Sequence, residues 1–215
     1  MKKLVSTFII AILFLPAAFA QKTIHIGNYN NQEINTVFKR EKRDGFYGSL
    51  ATGYSPIDDK NGIVFTSRGG WIMDHWFAFG VAGTGFVNNI DNLDAYYYNS
   101  SSTSTDYSLA GGYGGLFVEP MLFPLKPVHL TFPVVFGVGA ATRFNDYYYY
   151  ADYYNDADFF YVVEPGVELE FNFTRWMRIA LYGTYRYTSD INIENISKSA
   201  LRNYSAGIDV KIGLF

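Results

Sequence analysis

Long segments in which apolar and polar side chains alternate are the feature that most limits how this chain can fold. In positions 128–144 the even residues are large and apolar, and the odd residues are small or polar. Because successive residues of a β-strand point to opposite faces, this pattern predicts a strand with one apolar and one polar face. Eight such segments of 11 to 17 residues are predicted, at 45–55, 62–73, 76–88, 108–122, 128–144, 159–173, 176–189 and 203–215.

The length and charge of these segments separate two all-β alternatives. Strands of globular proteins are usually about 5–6 residues long, whereas a strand that crosses a bilayer needs about 9–11 residues. The polar faces also carry full charges in mid-strand, such as Glu168 and Arg186, which a closed barrel can pair across its interior. The sequence therefore predicts an all-β fold, a transmembrane antiparallel up-and-down β-barrel of about eight strands. A soluble sheet that shows its charged face to water is the alternative.

Short and long connections alternate between the predicted strands, which is typical of outer-membrane barrels with short periplasmic turns and longer external loops. The alternation places both chain ends in the periplasm. Trp71, Trp76 and Trp176 all flank short connections, where an interfacial aromatic belt is expected. The short connections are 74–75, 123–127 and 174–175, and the other class is 56–61, 89–107, 145–158 and 190–202.

The first twenty residues have the pattern of a cleaved secretory signal peptide. Lys2 and Lys3 precede an uncharged run over 4–19, and Ala18-Phe19-Ala20 forms a small-x-small cleavage site. An uncleaved membrane anchor is the alternative, but the run is short for a spanning helix and contains Pro16.

Residues 21–44 are predicted to be a polar periplasmic segment, and residues 45–215 the barrel. The segment carries a basic cluster just before the first strand, and it either frays in the periplasm or touches inner-leaflet head groups. The chain has no cysteine and a net charge of −3, so neither disulfides nor a nucleic-acid partner are predicted. The basic cluster consists of Lys39, Arg40, Lys42 and Arg43.

Together these features resemble the small outer-membrane barrels of the OmpA/OmpX-like superfamily. The resemblance rests on the signal peptide, the number of strands, the alternating connections, the opening Gly45-Phe46-Tyr47-Gly48 and the terminal Phe215. The Tyr/Asn-rich style and the turn at 123–128 are similar to uncharacterised barrels of the Bacteroidetes type.

The resemblance implies that the barrel-assembly machinery recognises the last strand, ending at Phe215. It also implies a monomer in contact with outer-membrane lipid and lipopolysaccharide. In such barrels the terminal aromatic residue is expected on the same strand face as the apolar residues. Here the alternation places Phe215 on the face of Lys211 and Asp209, opposite to Leu214. Either the assembly signal is read with a shift of one residue, or the strand ends at Leu214.

Ten charged residues are predicted to face the lumen, which in an eight-stranded barrel is just wide enough to be filled by side chains. Five are acidic and five basic, and an unpaired buried charge costs several kcal/mol. The pattern therefore predicts a salt-bridged structural plug, and a porin-like narrow channel for small solutes is the alternative. The ten are Arg68, Glu119, Arg143, Glu164, Glu168, Glu170, Arg178, Arg186, Asp209 and Lys211.

No arrangement of residues predicts catalysis, a cofactor or a metal site. Glu164, Glu168 and Glu170 could supply a carboxylate pair for acid–base chemistry, but they share one strand face, and structural pairing is favoured. Barrel enzymes that modify lipid A use a histidine at the outer leaflet, whereas here the histidines are predicted before the barrel or at its periplasmic end. These histidines, none close in sequence to another, are His25, His75 and His129.

The external loops are the best candidates for a contact surface, because loops on a rigid scaffold usually carry function. Tyrosine gives large amphipathic contact area at little entropic cost, and these loops could bind glycans, a host surface or a divalent cation. Alternatively, the tyrosines extend the strands and form an outer aromatic girdle. They are Tyr96, Tyr97, Tyr98, Tyr147, Tyr148, Tyr149, Tyr150, Tyr153 and Tyr154.

The sequence thus predicts a structural or surface-interaction barrel with a plugged lumen. A narrow channel is the second function considered, and a lipid-modifying barrel enzyme is the third and least supported.

Overall fold

The computed structural model describes residues 44–89, 107–145 and 157–215. The predicted signal peptide, the basic cluster and the nine loop tyrosines lie outside these residues. Within the described ranges no helix is long and apolar enough to cross a membrane.

The described chain is a closed antiparallel β-barrel, as predicted. Each strand pairs with its neighbours in sequence, and the first pairs with the last from Phe46 opposite Leu214 to Tyr54 opposite Ala206. β5 and β6 are two halves of one strand, so the barrel has eight strands. The segments are β1 Gly45–Tyr54, β2 Gly62–Met73, β3 Phe77–Asn88, β4 Tyr107–Leu122, β5 Val128–Thr131, β6 Val134–Asn145, β7 Ala157–Asn172, β8 Met177–Thr188 and β9 Asn203–Leu214.

The fifth predicted strand is interrupted, which the alternation of its residues did not indicate. Phe132 and Pro133 belong to neither strand segment, and Pro133 has no backbone N–H to donate. Phe132 N still donates to Pro120 O, and Pro133 O accepts from Gly166 N. The register is nevertheless continuous, since Thr131 faces Met121 and Val134 faces Val118 on β4. The interruption therefore removes hydrogen bonds without shifting any side chain to the other face.

The barrel has an apolar exterior and a charged interior. Leu50 on β1 is 72% exposed and Val81 on β3 is 61% exposed, whereas Glu119 and Asp209 are completely buried. This arrangement is the reverse of the one found in soluble proteins, where acidic side chains are almost never fully buried unless paired.

Residues 190–202, here named the cap loop, close one end of the barrel. Ile191, Ile193, Ile196, Ala200 and Leu201 of this loop are buried. They join inward-facing strand residues in one apolar cluster, so the cap loop fills the barrel mouth instead of extending away from it. The strand and turn residues of the cluster are Ile57, Val64, Phe86, Leu109, Tyr113, Ala141, Phe160 and Val162.

The opposite end of the barrel, here named the turn end, has an apolar cluster of its own. It packs around Tyr47 and Phe117, whose rings meet edge to face with centroids 6.3 Å apart. Phe215 stacks on Tyr47 at 6.2 Å, and β9 ends at Leu214. Of the two sequence-based interpretations of Phe215, the structure shows the one in which the strand ends at Leu214. The other members are Ile72, Ala78, Ala82, Met121 and Val135.

Candidate functional site in the lumen

Eight titratable side chains meet inside the barrel toward the turn end and form what we name the ion cluster. They come from six of the nine strand segments, and each stands at an inward-facing position of its strand. All eight are buried. They are Arg68 on β2, Glu119 on β4, His129 on β5, Glu168 and Glu170 on β7, Arg178 on β8, and Asp209 and Lys211 on β9.

Lys211 lies at the meeting point of three carboxylates. Its Nζ is 2.5 Å from Glu119 Oε1 and 2.7 Å from Glu168 Oε2, and it also pairs with Glu170. Oxygens of these three carboxylates lie within 4.8 Å of one another, close enough to hold a metal ion. The ammonium of Lys211 occupies the position that such an ion would take.

Arg68 joins the remaining acid to the cluster. Its guanidinium pairs with Asp209, lies 2.5 Å from Glu168 Oε1 and is 3.7 Å from Glu119 Oε2. Two cations thus hold four carboxylates across the lumen, between strands that lie up to 141 positions apart in sequence. Such a cluster fixes the distance between opposite walls, because separating any pair would leave an uncompensated buried charge.

Arg178 and His129 complete the cluster beside Glu170. His129 Nε2 is 2.8 Å from Glu170 Oε2, and Arg178 Nη1 is 3.2 Å from the same oxygen. The Phe215 ring covers Arg178, with its centroid 3.9 Å from the guanidinium carbon, which gives a favourable cation–π contact. The aromatic side chain therefore shields the cluster at the turn end.

Hydroxyl groups satisfy further carboxylate oxygens of the cluster. Tyr47 donates to Glu119, and Thr131 donates to Glu168 over 3.1 Å. His129, Tyr47 and Thr131 were not among the predicted members of the lumen network. The parity of His129 and Thr131, which matches that of the inward-facing odd positions on β5, was the signal that could have found them.

Three of the ten predicted lumen residues do not join the ion cluster. Arg143 was predicted as a member of the lumen ion network, but it donates instead to the backbone carbonyl of Glu194 in the cap loop over 2.5 Å. Arg186 is fully buried, but it donates to the Leu201 carbonyl over 2.8 Å and to Ser55 Oγ over 3.0 Å. Both arginines thus anchor the cap loop and its surroundings by hydrogen bonds to neutral oxygens.

Glu164 is also separate from the ion cluster. It accepts hydrogen bonds from Thr184 Oγ1 over 2.8 Å and from the hydroxyl of Tyr113. Among the described residues no cation lies within 4.0 Å of it, whereas Glu168 and Glu170 share the ammonium of Lys211. The three glutamates predicted as a possible acid–base set therefore divide between two environments.

The three tryptophans lie at the turn end on the outside of the barrel. Trp71 stands near the end of β2, Trp76 in the turn before β3 and Trp176 in the turn before β8. Each is slightly more than half exposed. His75 lies in the same turn as Trp76.

The chain matches no protein-family model and no curated protein. Its backbone is similar to that of Neisserial surface protein A, with a TM-score of 0.48 and 13% identity over 79% of this chain and 96% of the other. The N-terminal β-barrel domain of Pseudomonas aeruginosa OprF gives 0.47 and 9% over 80% and 97%. Ail, the attachment invasion locus protein of Yersinia pestis, gives 0.45 and 12% over 80% and 98%. The likeness concerns the fold alone.

Proposed function

We propose that this chain is a bacterial outer-membrane barrel with a closed lumen, and that it has a structural or surface-interaction role instead of conducting solutes. The observation that carries the proposal is the ion cluster, in which Arg68 and Lys211 pair with all four carboxylates across the interior. A solute would have to break several of these pairs to pass, and breaking one buried pair costs about 3–5 kcal/mol.

The distribution of exterior residues supports the membrane part of the proposal. Apolar side chains cover the middle of the wall, and tryptophans stand outside at the turn end. Outward-facing tyrosines at the other end match the second aromatic girdle of membrane barrels. In this proposal the turn end faces the periplasm. These tyrosines are Tyr54, Tyr161, Tyr185, Tyr187 and Tyr204.

The cap loop adds a second closure above the ion cluster. Its backbone is bound to the barrel at four points. Asp58 N donates to Ala200 O over 3.1 Å and Asn192 N donates to Asp158 Oδ2 over 2.7 Å. Arg143 and Arg186 donate to the carbonyls of Glu194 and Leu201. The lumen is therefore blocked at two separate levels, one apolar and one charged.

Planar-bilayer recording tests the closed lumen. We expect no steady current from the wild-type protein, nor from a variant in which 191–200 is replaced by a short Gly-Ser linker, because the ion cluster remains. A porin inserted into the same bilayer controls for insertion. Steady wild-type currents would contradict the proposal, and currents from the shortened variant alone would show that the ion cluster does not close the lumen.

The surface-interaction part of the proposal depends on the tyrosine-rich loops, which lie outside the described residues. Its support is their composition. Deleting 147–154 should reduce binding of the protein to glycan arrays or host cells, and substituting Asn195 and Lys198 on the exposed cap-loop surface provides the control. Unchanged binding after the deletion would reject this role for the loop.

The remaining parts of the proposal follow from the same reasoning. We propose a monomer surrounded by outer-membrane lipid and lipopolysaccharide, inserted by the barrel-assembly machinery, with no enzymatic activity. The ion cluster supports a structural role for its histidine, since His129 is buried against Glu170 and Arg178, away from the rim where a substrate lipid would lie.

A further inference from the structure

A cavity of about 30 Å³ lies in the lumen between the ion cluster and the cap loop. Arg68 and Glu168 of the ion cluster border it on one side, and Tyr113 of the apolar cluster beneath the cap loop borders it on another. Glu164, Tyr182 and Ser205 also line it. One water needs about 10–15 Å³, so the space accommodates two water-sized guests.

Two hydroxyl groups that line this cavity have no partner among the described atoms. Ser205 is 3% exposed, and its Oγ makes no hydrogen bond. The Tyr182 hydroxyl is buried and unpartnered as well. Buried polar atoms in proteins nearly always have a partner, which is often an ordered water or an ion. The two hydroxyls therefore indicate that the cavity holds a polar guest.

Glu164 supplies the charge that selects the guest. Its two oxygens accept hydrogen bonds from Tyr113 and Thr184, which are both neutral. Arg68 reaches the cavity, but its guanidinium is already shared by three other carboxylates. Arg186 is fully buried and pairs with no carboxylate of the described residues, and its guanidinium carbon lies 5.9 Å from the centroid of the Tyr113 ring. A buried carboxylate in this position lacks a cation at contact distance.

We propose that the cavity is a binding site for one small monovalent cation of the sodium type, with Glu164 as its charged ligand. Hard cations take oxygen ligands, and the Ser205 and Tyr182 hydroxyls with one water complete such a set. A single unmatched carboxylate compensates a single positive charge. A divalent ion is disfavoured, because the guanidinium of Arg68 stands at the edge of the same cavity.

The neighbouring group of three carboxylates is not this site. Glu119, Glu168 and Glu170 lie close enough together to ligate an ion, but the Lys211 ammonium already occupies the space among them. The cavity at Glu164 lies on the other side of Arg68 and Glu168. This proposal depends only on the closed lumen. Its failure would therefore not affect the structural or surface-interaction role proposed for the barrel.

Anomalous diffraction with rubidium in place of sodium tests the site. In crystals of the full chain, we expect an anomalous peak in the cavity next to a Glu164 oxygen. The isosteric Glu164→Gln variant removes the charge, while its amide accepts from one of the two hydroxyls of Tyr113 and Thr184 and donates to the other. This variant should lose the peak, whereas Glu194→Gln on the exposed cap loop should keep it. Ser205→Ala, which removes one neutral ligand, should lower the peak height.

A solution measurement complements the crystals. Replacing choline chloride by sodium chloride at constant ionic strength should raise the Tm of the wild type and of Glu194→Gln, but not that of Glu164→Gln. No peak and no sodium-dependent Tm in the wild type would overturn the proposal, leaving only water in the cavity and Arg186 as the counter-charge of Glu164. A peak that survives Glu164→Gln would equally overturn it.

Discussion

At the scale of single residues, Lys211 is one of two lumen cations, with Arg68, that each pair with three carboxylates. Its ammonium is 1% exposed and touches three carboxylates, each of which comes from a strand other than its own. Removing one partner of a buried ion pair is strongly destabilising, because the charge left behind has neither water nor a counter-ion. The stability of the barrel should therefore respond more to this side chain than to any lysine on the surface.

Replacing Lys211 by methionine tests this expectation. The side chain keeps its approximate length while the charge is lost, so the free energy of unfolding should fall by about 3–5 kcal/mol. Denaturant titration of the protein in lipid vesicles measures the change. Lys126→Met, at an exposed turn position, is the matched control and should change stability by less than about 0.5 kcal/mol. Equal effects of the two variants would contradict this role of Lys211.

The Lys211→Ala variant should acquire an affinity for divalent cations that the wild type lacks. With the ammonium gone, the oxygens of Glu119, Glu168 and Glu170 remain within 4.8 Å of one another, which suits a hard cation. Manganese at 100 times its Kd would raise the free energy of unfolding by about 2.7 kcal/mol. Manganese electron paramagnetic resonance measures the binding. The idea fails if the variant and the wild type bind manganese equally.

At the scale of elements, the cap loop differs most from what its position between two strands suggests. Five of its apolar side chains are buried in the barrel mouth, so the loop belongs to the core. Burial of a leucine or isoleucine side chain contributes about 1.5–3 kcal/mol. These side chains hold the loop in place together with the hydrogen bonds that Arg143 and Arg186 donate to its backbone.

Leu201→Asp should release the cap loop. A charged side chain at this fully buried position opposes packing, so the population of the open loop should rise about tenfold or more. Trypsin cleavage after Lys198, an exposed residue of the loop, reports the opening. Asn195→Asp places the same charge on the exposed side of the loop, away from the cleaved bond, and should leave cleavage unchanged. Resistance of Leu201→Asp to trypsin would show that burial of Leu201 does not hold the loop.

The pairing of β7 with β8 is interrupted near Pro165 on β7. The β7–β8 ladder pairs Val163 with Tyr187 and Gly166 with Thr184, with a gap at Glu164 and Pro165 between them. Hydrogen exchange followed by mass spectrometry should therefore find the amide of Tyr185, which points toward this gap, less protected than that of Leu181 on the same strand, because opening requires fewer broken hydrogen bonds. Uniform protection along β8 would contradict this expectation.

The alternation of residues was sufficient to predict most of the barrel but not the details of its lumen. The outer ends of every predicted strand lie within two residues of the observed ends. One apolar face and one charged face determine the orientation of a strand. Alternation also indicated that Arg143 and Arg186 point inward. It could not tell at which height each charge stands, because height depends on the register between strands distant in sequence. The buried isoleucines of the cap loop follow no period, so no pattern predicted their packing.

At the scale of the whole molecule, the barrel has apolar side chains outside and charged side chains inside, which is the reverse of a soluble protein. The wall offers apolar side chains to its surroundings all the way round, and the described sheet has no free edge because β1 pairs with β9. In lipid, such closure leaves no sheet edge with a row of unpaired backbone groups. The same surface in water would expose a continuous apolar area far larger than soluble monomers tolerate.

Arginine substitutions on the wall test the predicted lipid contact. Leu116 is 67% exposed in the middle portion of β4, and Leu116→Arg should lower the free energy of unfolding in lipid vesicles by about 2–4 kcal/mol. Leu125→Arg, in the turn that joins β4 and β5, should cost no more than about 1 kcal/mol because it lies near the interface. If the wall variant is as stable as the turn variant, Leu116 does not face lipid.

The ion cluster also has a consequence for the order in which the barrel is assembled. Without its last strand, the sheet holds the cluster carboxylates of Glu119, Glu168 and Glu170 but lacks Lys211, whose ammonium joins them. Arg68 and Asp209 likewise meet only when β9 is in place. A partly assembled chain therefore carries buried carboxylates that lack one cation partner until the final strand brings Lys211. Completion of the ring and formation of these ion pairs are thus a single step.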